Sequence, residues 1–143
     1  MGLNYVDKNM SSKFVLKTDD DSFARLDLLI QELKLFGHHS GSRTSEDQDR
    51  CLYWGYFDGR AKVKKRGKWK EEHAYLLCDN YLPYALGGGY VISKRCVDYL
   101  VSNQQYLVGY SNEDVTFGTW LASISPLYRF VIVTFHTFDM FCK

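Results

Sequence analysis

A run of three consecutive carboxylates, Asp19-Asp20-Asp21, lies between a strand-like and a helix-like segment, and it constrains the fold of this chain most strongly. The preceding residues Phe14–Lys17 are apolar and β-prone, which predicts a short buried strand. Beyond the acids, apolar spacings of three and four predict a helix that opens at Ser22, with Phe23, Leu26, Leu29, Ile30 and Leu33 on its buried face. Strand, acidic turn and helix in this order predict an open α/β sheet that binds ligands at its strand ends.

The carboxylate triplet suits a divalent cation that is shared with a phosphate group. Mg²⁺ and Mn²⁺ prefer oxygen ligands, and proteins usually hold Mg²⁺ through one or two carboxylates together with substrate phosphates. The functional interpretation of Asp19–Asp21 is therefore a metal–phosphate site. The alternative interpretation is a solvated acidic turn without a ligand, because a short motif needs structural context before it indicates a site.

The bulk composition is that of one modest globular domain. The chain has 143 residues, 45% hydrophobic and 24% charged, which is enough for a real core and argues against disorder. A net charge of +1 gives no general attraction to nucleic acid or membranes. Met1–Ser12 is too polar for a signal peptide or anchor. The longest apolar runs stay well short of the ~20 residues that cross a bilayer.

The cysteines do not have the spacing of a zinc site, because they include no CxxC pair. They allow up to two disulfides with three possible pairings. Their positions are Cys51, Cys78, Cys96 and Cys142.

An aromatic segment and a basic segment follow the predicted surface loop Gly37–Arg50. Leu52–Phe57 is β-prone, Asp58-Gly59 is a favoured hairpin turn, and Ala61–Lys64 is then the returning strand. The basic arm, Arg60–Lys70, contains seven Lys or Arg residues and no acid. It is interpreted either as a solvated hairpin edge or as a contact for an anionic ligand. Trp69 within it is unusual, because an exposed Trp generally has something to stack on.

The second half of the chain predicts two helices and an apolar tail. The triplet Gly87–Gly89 allows a close approach of backbone to ligand or a flexible turn, but matches neither a Walker loop nor a dinucleotide fingerprint. Ser93 is predicted to cap a second helix and Asn112 a third. The tail, Phe130–Phe135, is β-prone without a clear partner strand. The buried faces are predicted to be Cys96, Val97, Leu100 and Val101, then Val115, Gly118, Leu121 and Ala122.

Glu113 and Asp114 open the third predicted helix. Acids in a first helical turn are usually there because they suit the helix dipole. Beside a metal site, however, a carboxylate kept ionised by a helix start meets the requirement for a general base.

Taken in order, these motifs resemble those of the β-1,3-glycosyltransferases, the inverting family that includes the fringe enzymes. The resemblance covers Lys13 to Ala122, with 1–12 and 123–143 as non-matching ends. From Leu52 through Ala122 it is strongest to members that act in glycosaminoglycan linker synthesis. The motifs are Lys17-Thr18-Asp19-Asp20-Asp21, Tyr53-Trp54-Gly55, Tyr81-x-Pro83-Tyr84-x-x-Gly87-Gly88-Gly89-Tyr90-Val91 and Glu113-Asp114-Val115.

The resemblance implies a GT-A-like α/β fold, of which this chain holds only the central and C-terminal part. It implies a UDP-galactose donor, a galactosyl-xylosyl-protein acceptor and Mn²⁺, with no nucleic-acid partner. It also implies a type II membrane protein facing the Golgi lumen, joined to the membrane through an anchor that is not in this chain.

Particular residues are assigned roles by the same resemblance. Asp21 is the first choice as metal ligand, with Asp19 as a second ligand that also faces the donor sugar or ribose. Asp20 is placed in the donor site. Asp114, backed by Glu113, takes the position of the catalytic base. The residues expected to shape the sugar pocket are Trp54, Tyr84, Gly87, Gly88 and Gly89.

Two departures from the family pattern lead to a further expectation. Only Met1–Ser12 precedes the first strand, where the family has a longer segment, and the surroundings of His136 do not match those of the family's late histidine ligand. The chain alone is therefore expected to be inactive. The alternative functions are a non-catalytic fragment or a module that binds polyanions, such as glycosaminoglycan or RNA, through Arg60–Lys70.

Overall fold

A computed structural model describes residues 2–38, 51–74, 77–130 and 138–139 of the chain. Within these residues, helices and strands follow one another in a mixed order, and a short 3-10 helix covers Gln104–Tyr106. In chain order the elements are α1 (Gly2–Asn9), β1 (Phe14–Lys17), β2 (Phe23–Ala24), α2 (Leu26–His38), β3 (Leu52–Asp58), β4 (Tyr84–Ser93), α3 (Lys94–Asn103), α4 (Glu113–Ala122), β5 (Leu127–Phe130) and β6 (Phe138–Asp139).

The main sheet has four strands in the order β1-β4-β3-β5. Strand β4 is antiparallel to both β1 and β3, and β5 runs parallel to β3. The register pairs Lys17 with Tyr90 and Gly55 with Tyr90 on either side of β4, and a bulge follows between Gly55 and Phe57. This mixed sheet with helices on it confirms the predicted α/β class.

The central strands are buried on both faces, as expected for a sheet covered by helices on each side. On one face, α2 contributes Leu29, which packs against Leu52, Trp54 and Val91. On the other face, α3 and α4 cover Tyr53, Tyr90 and Ile92 of the sheet with Cys96, Val97, Leu100, Phe117 and Leu121.

A disulfide between Cys51 and Cys96 joins the residue before β3 to α3. Both cysteines belong to the core under α3. Of the up to two disulfides that the sequence allows, the structure shows this one, and Cys78 is exposed and free. Cys142 lies outside the described residues.

The helix predicted to open at Ser22 begins four residues later, at Leu26. Phe23 and Ala24 form β2 instead, paired with Asp139 and Phe138 of β6. The predicted apolar face is also only partly buried: Phe23, Leu26 and Ile30 are exposed, while Leu29 is 4% exposed. Long-range strand pairing has here overridden a local helical pattern. Of the predicted loop, 39–50 lies outside the described residues.

The predicted hairpin at Asp58-Gly59 is wrong. Strand β3 pairs with β4 and β5, and Lys62 makes only an isolated bridge to Asn80. The Asp58 carboxylate accepts a hydrogen bond from the backbone N–H of Arg60 at 2.9 Å, which closes a local turn without returning the chain along β3. The basic arm is therefore not the edge of a hairpin.

The glycine triplet and the tail also differ from the simplest expectation. Gly87–Gly89 lies inside β4, so it forms no flexible turn. Residues Leu127–Phe130 pair in parallel with β3, which gives the start of the tail a partner strand that the sequence did not reveal. Residues 131–137 lie outside the described part of the chain.

Ser93 and Asn112 occupy the predicted N-cap positions, but neither side chain caps its own helix. The Ser93 hydroxyl accepts a hydrogen bond from the N–H of Leu52 at 2.9 Å, and the Asn112 amide donates to the carbonyl of Trp69 at 3.3 Å. Each residue therefore ties a helix start to a distant segment. In the second and third predicted helices, Val101 and Ala122 are half-buried and the other predicted helix-face residues are buried. Within the described residues, no helix has the length and apolarity to cross a bilayer.

Candidate functional site

A pocket of about 230 Å³ brings together four segments that are distant in sequence. The lining residues of the acidic turn after β1, the middle of β4 and the start of α4 are here called one wall, and those of the basic arm are called the other. The lining residues are Asp19, Lys64, Trp69, Tyr81, Tyr84, Gly87, Asn112, Asp114 and Val115.

Lys17, the last residue of β1, joins the two acidic segments of the pocket. Its ammonium lies 2.7 Å from the Asp19 carboxylate and 3.2 Å from that of Glu113. Burial lowers the pKa of Lys17, but its hydrogen bonds with the two acids outweigh burial, so that the net pKa is raised. The lysine is therefore charged at neutral pH and offsets the repulsion between the acidic turn and the helix start.

Gly87 makes a second connection, through its backbone. Its carbonyl accepts a hydrogen bond from the N–H of Asp19 at 3.1 Å, and a backbone hydrogen bond from Gly87 also reaches Asp114. A Cβ at this position would lie 2.5 Å from Oδ2 of Asp19. Glycine at this position leaves room for the Asp19 carboxylate, which lies directly against the strand.

Asp114 is half-buried in the first turn of α4. Burial raises the pKa of its carboxyl, and the hydrogen bond from the N–H of Val115 (3.0 Å to Oδ1) and the charge of Lys17 oppose the rise. A carboxylate with a raised pKa is a stronger proton acceptor than one with the ordinary pKa. The arrangement thus suits Asp114 to accept a proton.

Tyr84 forms the part of the pocket where β4 meets α4. Burial, followed by the charge of Asp114, raises the pKa of its phenol to about 12, so the hydroxyl stays protonated. A Cβ at Gly118 of α4 would lie 2.3 Å from Cβ of Tyr84. The helix therefore packs directly on the strand, and this contact sets the distance between Asp114 and β4.

The remaining predicted residues lie outside the pocket lining. Asp20 and Asp21 are exposed on the acidic turn, and the carbonyl of Gly88 accepts a hydrogen bond from the Thr18 hydroxyl at 3.1 Å. Trp54 is buried on the α2 face of the sheet, where the Arg129 guanidinium lies 4.6 Å from its ring centroid. The structure thus places Trp54 in the core, away from Asp19, Tyr84, Gly87 and Asp114. Gly89 lies within β4 beside Gly88, and His136 is outside the described residues.

The acidic turn fits a cation that is shared with a phosphate-bearing ligand, but not a closed metal cage. Across the described residues, no three His, Cys, Asp or Glu side chains converge to hold a metal ion. Asp20 and Asp21 are nonetheless exposed to solvent, and the Asp19 side chain is 45% exposed. One or two such carboxylates are the usual protein share of a Mg²⁺–phosphate site.

Sequence reasoning missed several residues that the structure brings to the site. Tyr81 and Asn112 line the pocket, and Lys17 was part of a motif without an assigned role. Glu71 is 1% exposed and holds the basic arm in place. The sequence contains one sign of this role: Glu71 is the first acid after seven basic residues, which could pair with its carboxylate.

A protein-family model described as Galactosyltransferase matches residues 1–126. The match includes the acidic turn, the glycine-containing strand and the start of α4. It also includes α1, where Leu3 packs against the core under α3.

Named relatives agree with the family match. The chain is 48% identical over 122 residues to "Beta-1,3-galactosyltransferase 6" of Mus musculus, covering 85% of this chain and 35% of the relative. It is 36% identical to "UDP-GalNAc:beta-1,3-N-acetylgalactosaminyltransferase 2" of Danio rerio, covering 83% and 22%. It is 30% identical to "Hydroxyproline O-galactosyltransferase GALT6" of Arabidopsis thaliana, covering 78% and 15%. The chain thus spans about a third or less of the length of these relatives.

Proposed function

Because this chain belongs to the galactosyltransferase family, we propose that it is the part of a β-1,3-galactosyltransferase that carries out the transfer. In this proposal the enzyme has a GT-A-like fold, uses UDP-galactose as donor and inverts the configuration of the transferred sugar. The observation that carries the proposal is the pocket that joins Asp19 of the acidic turn to Asp114 of α4. One wall offers carboxylates for a nucleotide-sugar diphosphate and its cation, and the same wall ends in a base.

The donor lies, in this proposal, against the acidic turn. Asp21 and Asp19 hold Mn²⁺, and Asp19 and Asp20 also face the ribose or the galactose of UDP-galactose. The chemistry that Mn²⁺ supplies when bound is neutralisation of the charge on the departing diphosphate. The Lys17 ammonium lies 2.7 Å from the Asp19 carboxylate and keeps it in position. Lys17 itself is not one of the residues that line the pocket.

Asp114 is the base in this proposal. It removes the proton from the acceptor hydroxyl as that oxygen attacks the anomeric carbon of galactose from the face opposite the diphosphate. The new carbon–oxygen bond forms while the bond from the anomeric carbon to the diphosphate breaks, and the electron pair of the broken bond leaves with UDP. Because the attack comes from the opposite face, the configuration of the anomeric carbon inverts. Glu113 supports the base indirectly, because it holds Lys17 at 3.2 Å beside the pocket.

The acceptor is, in this proposal, a galactosyl-xylosyl-protein in glycosaminoglycan linker synthesis, and the protein faces the Golgi lumen as a type II membrane protein. The 48% identity to a β-1,3-galactosyltransferase supports galactose transfer. The Cys51–Cys96 disulfide supports an oxidising compartment, since structural disulfides persist there and are rare in the cytosol.

The experiment has a binding part and a transfer part. UDP binding to the 143-residue chain is measured by calorimetry with and without MnCl₂. Transfer is measured in a chimera, the murine relative with its matched residues replaced by those of this chain, using UDP-galactose and a galactosyl-xylosyl acceptor. We expect Asp21→Ala to abolish Mn²⁺-dependent transfer with the fold intact, because losing the metal costs several kcal/mol in the transition state.

Asp79→Ala is the matched control, because that carboxylate is 91% exposed and lies outside the acidic turn. Near-normal transfer by well-folded Asp21→Ala would overturn the metal assignment. Transfer from UDP-N-acetylgalactosamine in preference to UDP-galactose would overturn the proposed donor and favour the donor in the name of the Danio rerio relative. Binding of heparin or RNA that weakens steeply with salt, without any UDP binding, would favour the polyanion alternative.

A further inference from the structure

Trp69 is an exposed aromatic side chain of the basic arm, and it is one of the residues that line the pocket. Its indole is 59% exposed, and it lines the same pocket as Asp114. Ligand pockets are generally lined by aromatic and apolar side chains together with a few polar groups, and Trp69 with Asp114 and Lys64 provides that combination here. The flat ring offers the apolar surface that the C–H face of a sugar ring needs.

The basic arm that carries Trp69 is held by a buried carboxylate. Glu71 is 1% exposed, and its side chain accepts hydrogen bonds from the backbone N–H and hydroxyl of Ser111 at 3.0–3.2 Å and from the N–H of His73 at 3.1 Å. The N–H of Glu71 also donates to the carbonyl of Lys64 at 2.7 Å. The arm is therefore fixed to the residues just before α4.

Two further contacts fix Trp69 relative to the proposed base. Its carbonyl accepts a hydrogen bond from the Asn112 side chain at 3.3 Å, and Asn112 precedes Asp114 by two residues. The Lys68 ammonium lies 4.6 Å from the indole centroid, a cation–π contact that orders the ring. Lys64 lines the pocket beside it and provides a hydrogen-bond donor for a sugar hydroxyl.

We propose that Trp69 is the platform on which the acceptor sugar stacks, presenting its hydroxyl to Asp114. The inference rests on the proposed function, because the base must lie beside the acceptor. The Asn112 side chain donates a hydrogen bond to the carbonyl of Trp69, which ties Trp69 to the helix start that carries Asp114. The ligand is a neutral terminal β-linked hexose, with its less polar face on the indole and its hydroxyls toward Lys64 and Asp114.

The test measures binding of methyl β-D-galactopyranoside to the 143-residue chain by saturation-transfer NMR, beside UDP binding in MnCl₂. We expect Trp69→Ala to weaken galactoside binding about tenfold, the value of one aromatic stacking contact. Trp69→Phe retains an aromatic face and should lose less. UDP affinity should be unchanged in both variants. Tyr106→Ala, which removes a 76% exposed aromatic outside the pocket, is the matched control and should bind both ligands normally.

The outcomes separate this inference from the proposed function. Normal galactoside binding by Trp69→Ala, or no galactoside binding by the unaltered chain, overturns the stacking role. Absence of UDP binding with Trp69-dependent galactoside binding overturns the transferase but keeps the sugar platform. In the chimera, Trp69→Ala should raise the acceptor KM and leave kcat nearly unchanged. Equal losses in kcat and donor affinity would indicate a structural role instead.

Discussion

The two walls of the pocket are built in different ways. The carboxylate wall, Asp19 and Asp114, stands on the end of a strand and the start of a helix, joined by Lys17 and Gly87. The aromatic wall, Trp69 with Lys64, stands on an irregular arm that makes one isolated bridge to another segment. Regular elements position the groups for chemistry, while an irregular arm allows the recognition surface to differ among related proteins.

The largest expected effect comes from removing the base on the carboxylate wall. Asp114→Asn in the chimera should lower kcat by roughly 10²–10⁴-fold, the usual contribution of a general base, and leave UDP affinity nearly unchanged. Asparagine keeps the Oδ1 acceptor for the N–H of Val115, so the helix start is preserved. Steady-state kinetics and UDP calorimetry test this together.

Glu113→Gln is the matched variant, because Glu113 lies beside Asp114 but is paired with Lys17 and does not line the pocket. A large kcat loss in Glu113→Gln with a small one in Asp114→Asn would exchange their roles. Loss of UDP affinity with kcat retained in Asp114→Asn would indicate a structural carboxylate.

The next largest expected effect is on stability, and it comes from replacing Glu71, which anchors the arm that carries the aromatic wall. Glu71→Gln should lower the free energy of unfolding by roughly 1.5–3 kcal/mol, because hydrogen bonds to a charged acceptor are lost and an amide N–H₂ faces donors at Ser111. Chemical denaturation of the 143-residue chain measures the change. Glu72→Gln removes the charge of an exposed neighbour whose carboxylate lies 3.1 Å from the Lys70 ammonium, and it should change stability little. Equal changes in the two variants would contradict the anchoring role of Glu71.

Two glycines distinguish stability from function on the carboxylate wall. Gly118→Ala should cost roughly 1–3 kcal/mol, because its Cβ would meet the backbone Cα of Tyr84 at 2.8 Å and cannot be relieved by one side chain. Gly87→Ala would meet the end of the Asp19 side chain at 2.5 Å, which can rotate away. We therefore expect Gly87→Ala to retain stability and to weaken Mn²⁺-dependent UDP binding. Thermal melts beside calorimetry distinguish the two, and a large stability loss in Gly87→Ala alone would contradict this account.

The smallest effect is the pH dependence of stability at Asp114. Its folded pKa is raised above the unfolded value of 3.8, chiefly by burial, so the folded state holds the proton more tightly than the unfolded chain. The ionised carboxylate therefore costs stability above the folded pKa, and the cost disappears as the pH falls below the unfolded pKa. Asp114→Asn should be at least as stable as the unaltered chain at pH 7, with the difference shrinking toward acid pH. Thermal melts from pH 3 to pH 7 measure this; a variant less stable at pH 7 than the unaltered chain would contradict it.

The amino-acid sequence by itself determined the carboxylate wall and the class of the fold. Strand β1, the acidic turn after it, strand β3 and the two acids opening α4 are all readable locally, because each depends on a short pattern and its nearest neighbours. The glycine triplet was interpreted as a close approach of backbone to ligand or as a flexible turn, and only the structure shows that the Asp19 carboxylate lies against Gly87. The family resemblance rested on these same segments.

Only the tertiary structure decided which distant segments pair and which face each side chain takes. Phe23–Ala24 became a strand because β6 pairs with it, the arm after Asp58 did not return as a hairpin, and Trp54 was buried under α2. Glu71 and Trp69 acquired their places from partners about 40 residues away, at Ser111 and Asn112. Such pairings are set by burial and hydrogen-bond satisfaction over the whole chain, which a local pattern of residues does not contain.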